Sequence, residues 1–169
     1  MLWVGRVVSP SGKAARPATP ALAVTAGPGH AGVVSDQTGL FRIRFRADPV
    51  ELALFRAGLN RWLLGLEWPA TDRQDAVLAI HEACDNSVRQ FCFGDQGEVE
   101  VVARLVIGVN DRRIVAVVRD EGRRPRAGSG GGTWLTIVNA CMDRVRIRPA
   151  HGGTSVTMTS RPVPLRVDA

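Results

Sequence analysis

Tyrosine is absent from this chain of 169 residues, lysine occurs once, as Lys13, and cysteine three times, as Cys84, Cys92 and Cys141. An odd number of cysteines without a C-x-x-C pair offers neither a disulfide framework nor a zinc site, and it fits a reducing, cytoplasmic setting. No stretch approaches the roughly 20 apolar residues that a membrane helix needs. The apolar runs near Val7 and from Ala21 to Val24 are short and broken by Pro and Ser, so no signal peptide is indicated. A pI near 10.8 invites nucleic acid as a partner, yet the basic residues are scattered along the chain and tyrosine is missing, which argues against direct nucleic-acid binding.

What is present suffices for one compact domain: 45% of the residues are hydrophobic. The charge is uneven. Residues 1–48 carry six basic and two acidic side chains, and the remainder sixteen and fourteen. From Ser9 to Thr38 the chain is dominated by Pro, Gly, Ala and Ser without a sustained period, a composition that buries too little apolar surface to offset ordering. Residues 1–38 are therefore expected to be a disordered extension, 39–162 a folded domain and 163–169 a tail.

Within the domain, Phe41, Ile43 and Phe45 alternate with Arg42, Arg44 and Arg46, the period of a strand with one buried face. Asp48, Pro49 and Glu51 combine an N-cap, a first-turn proline and a capping-box acid. They predict a helix with Leu52, Phe55, Leu59, Leu63 and Leu66 on its inner side. Thr71 and Gln74 read as a second capping box, before a helix whose core stripe is Val77, Ile80, Cys84 and Phe91. Alternation from Val99 to Ile107 and from Ile114 to Val118, around Asn110-Asp111, predicts an antiparallel hairpin. A glycine-rich loop, Gly128 to Gly132, leads to a third helix with Leu135, Val138 and Cys141, and strands follow around Val145 to Arg148 and Thr154 to Thr159. The order β-α-α-β-β-α-β-β predicts an α+β fold with helices on one face of a mixed or antiparallel sheet.

Four features carry chemistry. Glu82, Asn86 and Gln90 share one face of the second helix, flanked by the small residues Ala79, Ala83 and Ser87, which would let a ligand approach. A carboxylate can polarise a nucleophile, and an amide oxygen one turn on suits a hard cation such as Mg2+. Asp120, in Arg119-Asp120-Glu121-Gly122, stands where a strand emerges into a loop and can accept a hydrogen bond from an amino group such as that of adenine. Gly128-Ser129-Gly130-Gly131-Gly132 before a helix can cradle phosphates. Gly152-Gly153-Thr154 opens the last strand. Each has a plain reading as well: a solvated helix face, a turn, a linker, a turn.

The ordered set resembles the GHKL ATPase superfamily, and within it the anti-sigma factor serine/threonine-protein kinases of the partner-switching type. Residues 80–88, Ile-His-Glu-Ala-Cys-Asp-Asn-Ser-Val, look like the N-box, Val118 to Gly122 the first glycine box and Gly132 to Val138 the second. The resemblance implies a two-layer α/β sandwich of the histidine-kinase-like ATPase (Bergerat) type, with ATP and Mg2+ as cofactors. It implies Glu82 as general base, Asn86 as magnesium ligand, Asp120 and Thr154 as readers of adenine, and Gly122, Gly130, Gly131 and Gly132 against the nucleotide. The implied partners are an anti-anti-sigma (STAS) protein, a sigma factor and a second copy of the chain in a homodimer.

The chain departs from the family at three positions: Gln90 replaces a histidine, Arg124 a glycine and Trp134 the second glycine of the loop. Trp134 and Arg124 leave a second reading open, a degenerate binding module that acts by sequestration alone. His81 is not read as a phospho-accepting histidine, because that residue belongs to a separate hairpin upstream of the N-box. A eukaryotic-type kinase is excluded, since Lys13 lies in the extension and no His-Arg-Asp loop is present.

Overall fold

The computed structural model describes residues 34–35, 39–91, 97–121, 132–150 and 152–165. The element order is β1 (Val34–Ser35), β2 (Leu40–Arg46), α1 (Pro49–Gly65), α2 (Ala70–Phe91), β3 (Glu98–Ile107), β4 (Asp111–Asp120), α3 (Thr133–Cys141), β5 (Arg144–Ala150), β6 (Gly153–Thr159) and β7 (Val163–Pro164). The expected order is present, with two short strands added. Val34–Ser35, within the expected extension, pairs with Arg42 and Phe41 of β2. Val163, assigned to the tail, is buried, and β7 pairs with the start of β4. The other residues of the expected extension lie outside the described ones.

All strand pairs are antiparallel, in the order β1-β2-β3-β4-β6-β5, with β7 beside β4. Register sets one face against the helices. Ile43 lies beside Val101, Val101 beside Val118, and Val118 beside Val156, and all four are buried. This row and its neighbours form one core with Leu52, Phe55, Leu59, Trp62 and Leu63 of α1, the inner side of α2, and Val138 of α3. The other face carries Arg42, Arg44, Glu98, Glu100 and Arg119 in ion pairs. The chain is thus a two-layer α/β sandwich in which the alternation of β2 is repeated across the sheet.

Local chemistry explains the elements, with two departures from expectation. Asp48 caps α1 by accepting from the N–H of Val50 (2.7 Å) and Glu51 (3.4 Å). The reciprocal arm of a capping box is not formed, because the N–H of Asp48 donates to Arg46 O instead. α2 starts at Ala70, and Pro69 O accepts the first turn's bond from the N–H of Arg73. Thr71 therefore sits inside the first turn rather than at the cap: Pro69 supplies the cap carbonyl, and Trp68 is fixed in the core just before it. The α1 stripe includes Trp62, which stacks toward Phe41 with ring centroids 5.6 Å apart, while Leu66 moves to the C-cap. There Arg112 donates to the carbonyls of Leu66 (2.7 Å) and Glu67 (2.8 Å) and lies over the Trp68 ring, tying the end of α1 to the hairpin.

Candidate functional site

The site is built on α2 and the C-terminal end of β4. Asp120 continues the buried row Ile114, Ala116 and Val118, so its carboxylate points to the helix side of the sheet, where it is only 5% exposed. A buried carboxylate needs partners, and two neutral donors are among those it has. The Ser87 hydroxyl donates to Oδ2 (2.9 Å), and the Thr154 backbone N–H donates to Oδ1 (2.9 Å).

The approach of β6 to Asp120 depends on one glycine. A Cβ on Gly153 would fall 1.9 Å from the backbone oxygen of Asp120 and 2.7 Å from Oδ1, an overlap neither atom can yield to. Its neighbour Gly152 has φ +81°, the left-handed region that turns the chain from β5 into β6. Gly152-Gly153-Thr154 is thus a turn and also the segment that clamps the carboxylate.

Helical spacing places Glu82 and Asn86 next to, and not within, the buried side of α2. Both are half-buried, and among the described residues neither makes a hydrogen bond or an ion pair. α1 and α3 pack on opposite flanks of α2. Gln74 and Val77 line a groove with Arg56 and Asn60 of α1, whereas Asp75 pairs with Arg161 (3.2 Å), which also donates to Ala140 O of α3. Counting turns from Asp75 puts Ala79, Ala83 and Asn86 on the α3 flank, with Glu82 just outside it. The Ser87–Asp120 bond sets the C-terminal half of α2 beside the end of β4, and Glu82 and Asn86 lie on the flank of that helix away from α1.

The structure corrects the role given to the small residues. Ala79, Ala83 and Ser87 are each no more than 1% exposed, the two alanines in the core on the α3 side and Ser87 against Asp120 of the sheet, so they do not border an open ligand face. Ser87 is the residue whose function the sequence reading missed. Its signal was available: it falls in the apolar arc of Ile80, Cys84 and Val88, and a hydroxyl there requires a partner.

Trp134 is one of the two departures that left a degenerate reading open. Its indole is half-buried and packs against the core cluster, in the first turn of a helix whose N-cap is Gly132. No side chain caps α3, and nothing lies within 4 Å of where a Gly132 Cβ would stand. Gly122, Gly130, Gly131 and Arg124 lie outside the described residues, as does the side chain of Gln90.

His81 points to the α1 flank. Burial, and then the neighbouring positive charge of Arg56, hold its pKa below the ordinary histidine value, so the neutral ring is favoured. Burial and then Asp85 push the Cys84 thiol well above its usual range, which keeps it an unreactive core residue. Among the described residues no group of three or more His, Cys, Asp or Glu could hold a metal, and no helix is long and apolar enough to cross a membrane.

A buried acid at the end of a central strand, a polar helix flank beside it and a three-helix layer on an antiparallel sheet define an α+β, two-layer class of domain. The histidine kinase-like ATPase domain family matches residues 45–160, and the chain belongs to it. Two bacterial relatives carry the name serine-protein kinase RsbW. The one from Bacillus velezensis is 26% identical over 144 residues, covering 75% of this chain and 88% of that protein. The one from Bacillus subtilis is 28% identical over 131 residues, covering 67% and 79%. Among solved structures, the RsbU and RsbW domains of Rv1364c from Mycobacterium tuberculosis superpose with a TM-score of 0.58 at 26% identity, covering 74% of this chain and 32% of that one. The resemblance to GHKL anti-sigma kinases holds in sequence and in fold.

Proposed function

We propose that this protein is a cytoplasmic ATP-binding anti-sigma factor and serine/threonine-protein kinase, which phosphorylates a serine of an anti-anti-sigma (STAS) partner and otherwise sequesters a sigma factor. The observation that carries the reading is the Asp120 carboxylate, buried and aimed by Ser87 and Thr154. A carboxylate so held accepts a hydrogen bond from the 6-amino group of adenine and repels the 6-carbonyl of guanine. Thr154 completes the base site, and Gly132, at the uncapped start of α3, offers backbone N–H groups to phosphate. Gly122, Gly130 and Gly131 are assigned to the same cradle.

Asn86 supplies an amide oxygen to Mg2+, whose remaining ligands would be phosphate and water, as is usual for this ion. When bound, Mg-ATP supplies the phosphoryl group and the charge neutralisation. Glu82 accepts the proton of the partner's serine hydroxyl, a role open to a half-buried carboxylate with no partner among the described residues. The rival reading, sequestration without catalysis, rests on Arg124 and Trp134; packing of the Trp134 indole against the core supports the kinase reading over it.

Asp120→Asn tests the assignment. An asparagine there keeps its oxygen on the Thr154 N–H and turns its NH2 to Ser87 Oγ, while the Ser87 hydroxyl re-donates to Ala83 O, already 3.2 Å away. The melting temperature should hardly move. Calorimetry should show wild type preferring Mg-ATP to Mg-GTP, and the variant losing at least about tenfold in ATP affinity, the worth of one charge-assisted hydrogen bond. Equal affinity of wild type for ATP and GTP would overturn the role of Asp120.

A further inference from the structure

The open face of the sheet is unevenly neutralised. On β2, β3 and β4 three cations of the ladder meet acids: Arg42 and Arg119 reach Glu100 (both 3.3 Å), and Arg44 reaches Glu98 (3.4 Å) and Glu121 (3.8 Å), while Arg46 and Arg104 have no ion pair among the described residues. β5 differs. Register sets Arg144, Arg146 and Arg148 beside Thr159, Thr157 and Ser155, so hydroxyls stand where acids stand elsewhere. Arg144 has one carboxylate, Asp143 at 3.8 Å, which Arg113 holds more closely at 2.9 Å. Arg146 and Arg148 are exposed and have no partner among the described residues.

β5 is also the last strand of the sheet. It pairs with β6, and among the described residues no strand lies on its other side. An unpaired strand edge is a row of main-chain donors and acceptors. Arginine on an edge deters a second copy of the same strand, because like charges would be brought face to face. The same charges select a strand of the opposite sign.

We propose that the outer edge of β5 receives an extended acidic segment of a partner protein, added as a further strand with Asp or Glu at alternate positions. Residues two apart on a strand share a face and stand roughly 6.5 Å apart, so alternate carboxylates of an added strand align with Arg144, Arg146 and Arg148. Main-chain bonds provide affinity and the arginines provide selection. Nucleic acid matches the charge but has no peptide groups for the edge. The surface is separate from Glu82, Asn86 and Asp120, and the proposal does not depend on nucleotide binding.

The test uses the full chain and a short fluorescein-labelled peptide of alternating Glu and Thr, titrated by fluorescence anisotropy at low salt. A peptide of the same composition with its Glu and Thr in two blocks is the control. The alternating peptide should bind at least about tenfold more tightly than the block peptide, and Arg146→Gln with Arg148→Gln should remove that advantage with an unchanged melting temperature. Amide exchange at Ile147 should slow when the alternating peptide is bound. Equal binding of the two peptides, undiminished binding by the double variant, or equally tight binding of a single-stranded oligonucleotide that displaces the peptide would each overturn the proposal.

Discussion

Asp120 and Glu100 lie one register step apart on the central β3–β4 ladder, yet they face opposite sides of the sheet. Glu100 stands on the open face between two arginines that are themselves more than half exposed. Asp120 stands on the helix face, buried, with a hydroxyl and a peptide N–H as partners. Pairing with mobile, solvated cations neutralises a surface and fixes little. The two neutral donors hold the Asp120 carboxylate in one orientation, which is what recognition of an amino group requires.

If that contrast is right, the helix side should be intolerant and the open side forgiving. The largest effect is expected at Gly153. Gly153→Ala drives a methyl into the Asp120 backbone, forcing β6 away from β4, and should cost about 3 kcal/mol, the upper end for overpacking. Chemical denaturation measures it, and a cost under about 1 kcal/mol would mean that the two strands can part without disturbing the fold.

Trp134→Gly comes next. A half-buried indole removed from the core, together with glycine near a helix start, should cost about 2 kcal/mol. Nucleotide affinity should not improve. Tighter ATP binding in this variant would place the ring against the phosphates after all and restore the rival reading.

Glu100→Gln should be the mildest. It deletes the shared acid of the Arg42 and Arg119 pairs, both exposed, and the loss should stay under about 0.5 kcal/mol and shrink further in high salt. A loss near that of Gly153→Ala would erase the distinction between the faces.

The legible part of the molecule is that governed by short-range periodicity. Phe41, Ile43 and Phe45 announced a strand, Asp48 and Pro49 a helix start, and the spacing of Val77, Ile80 and Cys84 a buried helical side. Each depends on neighbours within a few residues, so the strand alternation and the inner helical side are written locally. The same locality explains the misses. The Thr71 pattern fits a cap, but the chain starts α2 two residues earlier, with Pro69 at the cap, because Trp68 is anchored in the core. Trp62 was not expected inside, because its burial depends on β2 lying beneath α1.

Composition, the element order and the motif set from Glu82 to Thr154 were determined by the sequence alone, and they sufficed to place the chain in its family. Tertiary structure decided the rest. Ser87 and Asp120 are 33 residues apart, and only the packing of α2 on β4 makes the hydroxyl a partner of the carboxylate. Arginines that look scattered along the chain become paired at Arg42, Arg44 and Arg119 and are left without an ion pair among the described residues at Arg146 and Arg148 of β5, because strand register chooses which side chains are neighbours. Periodicity fixes which way a residue points, but what it meets there depends on elements distant in sequence.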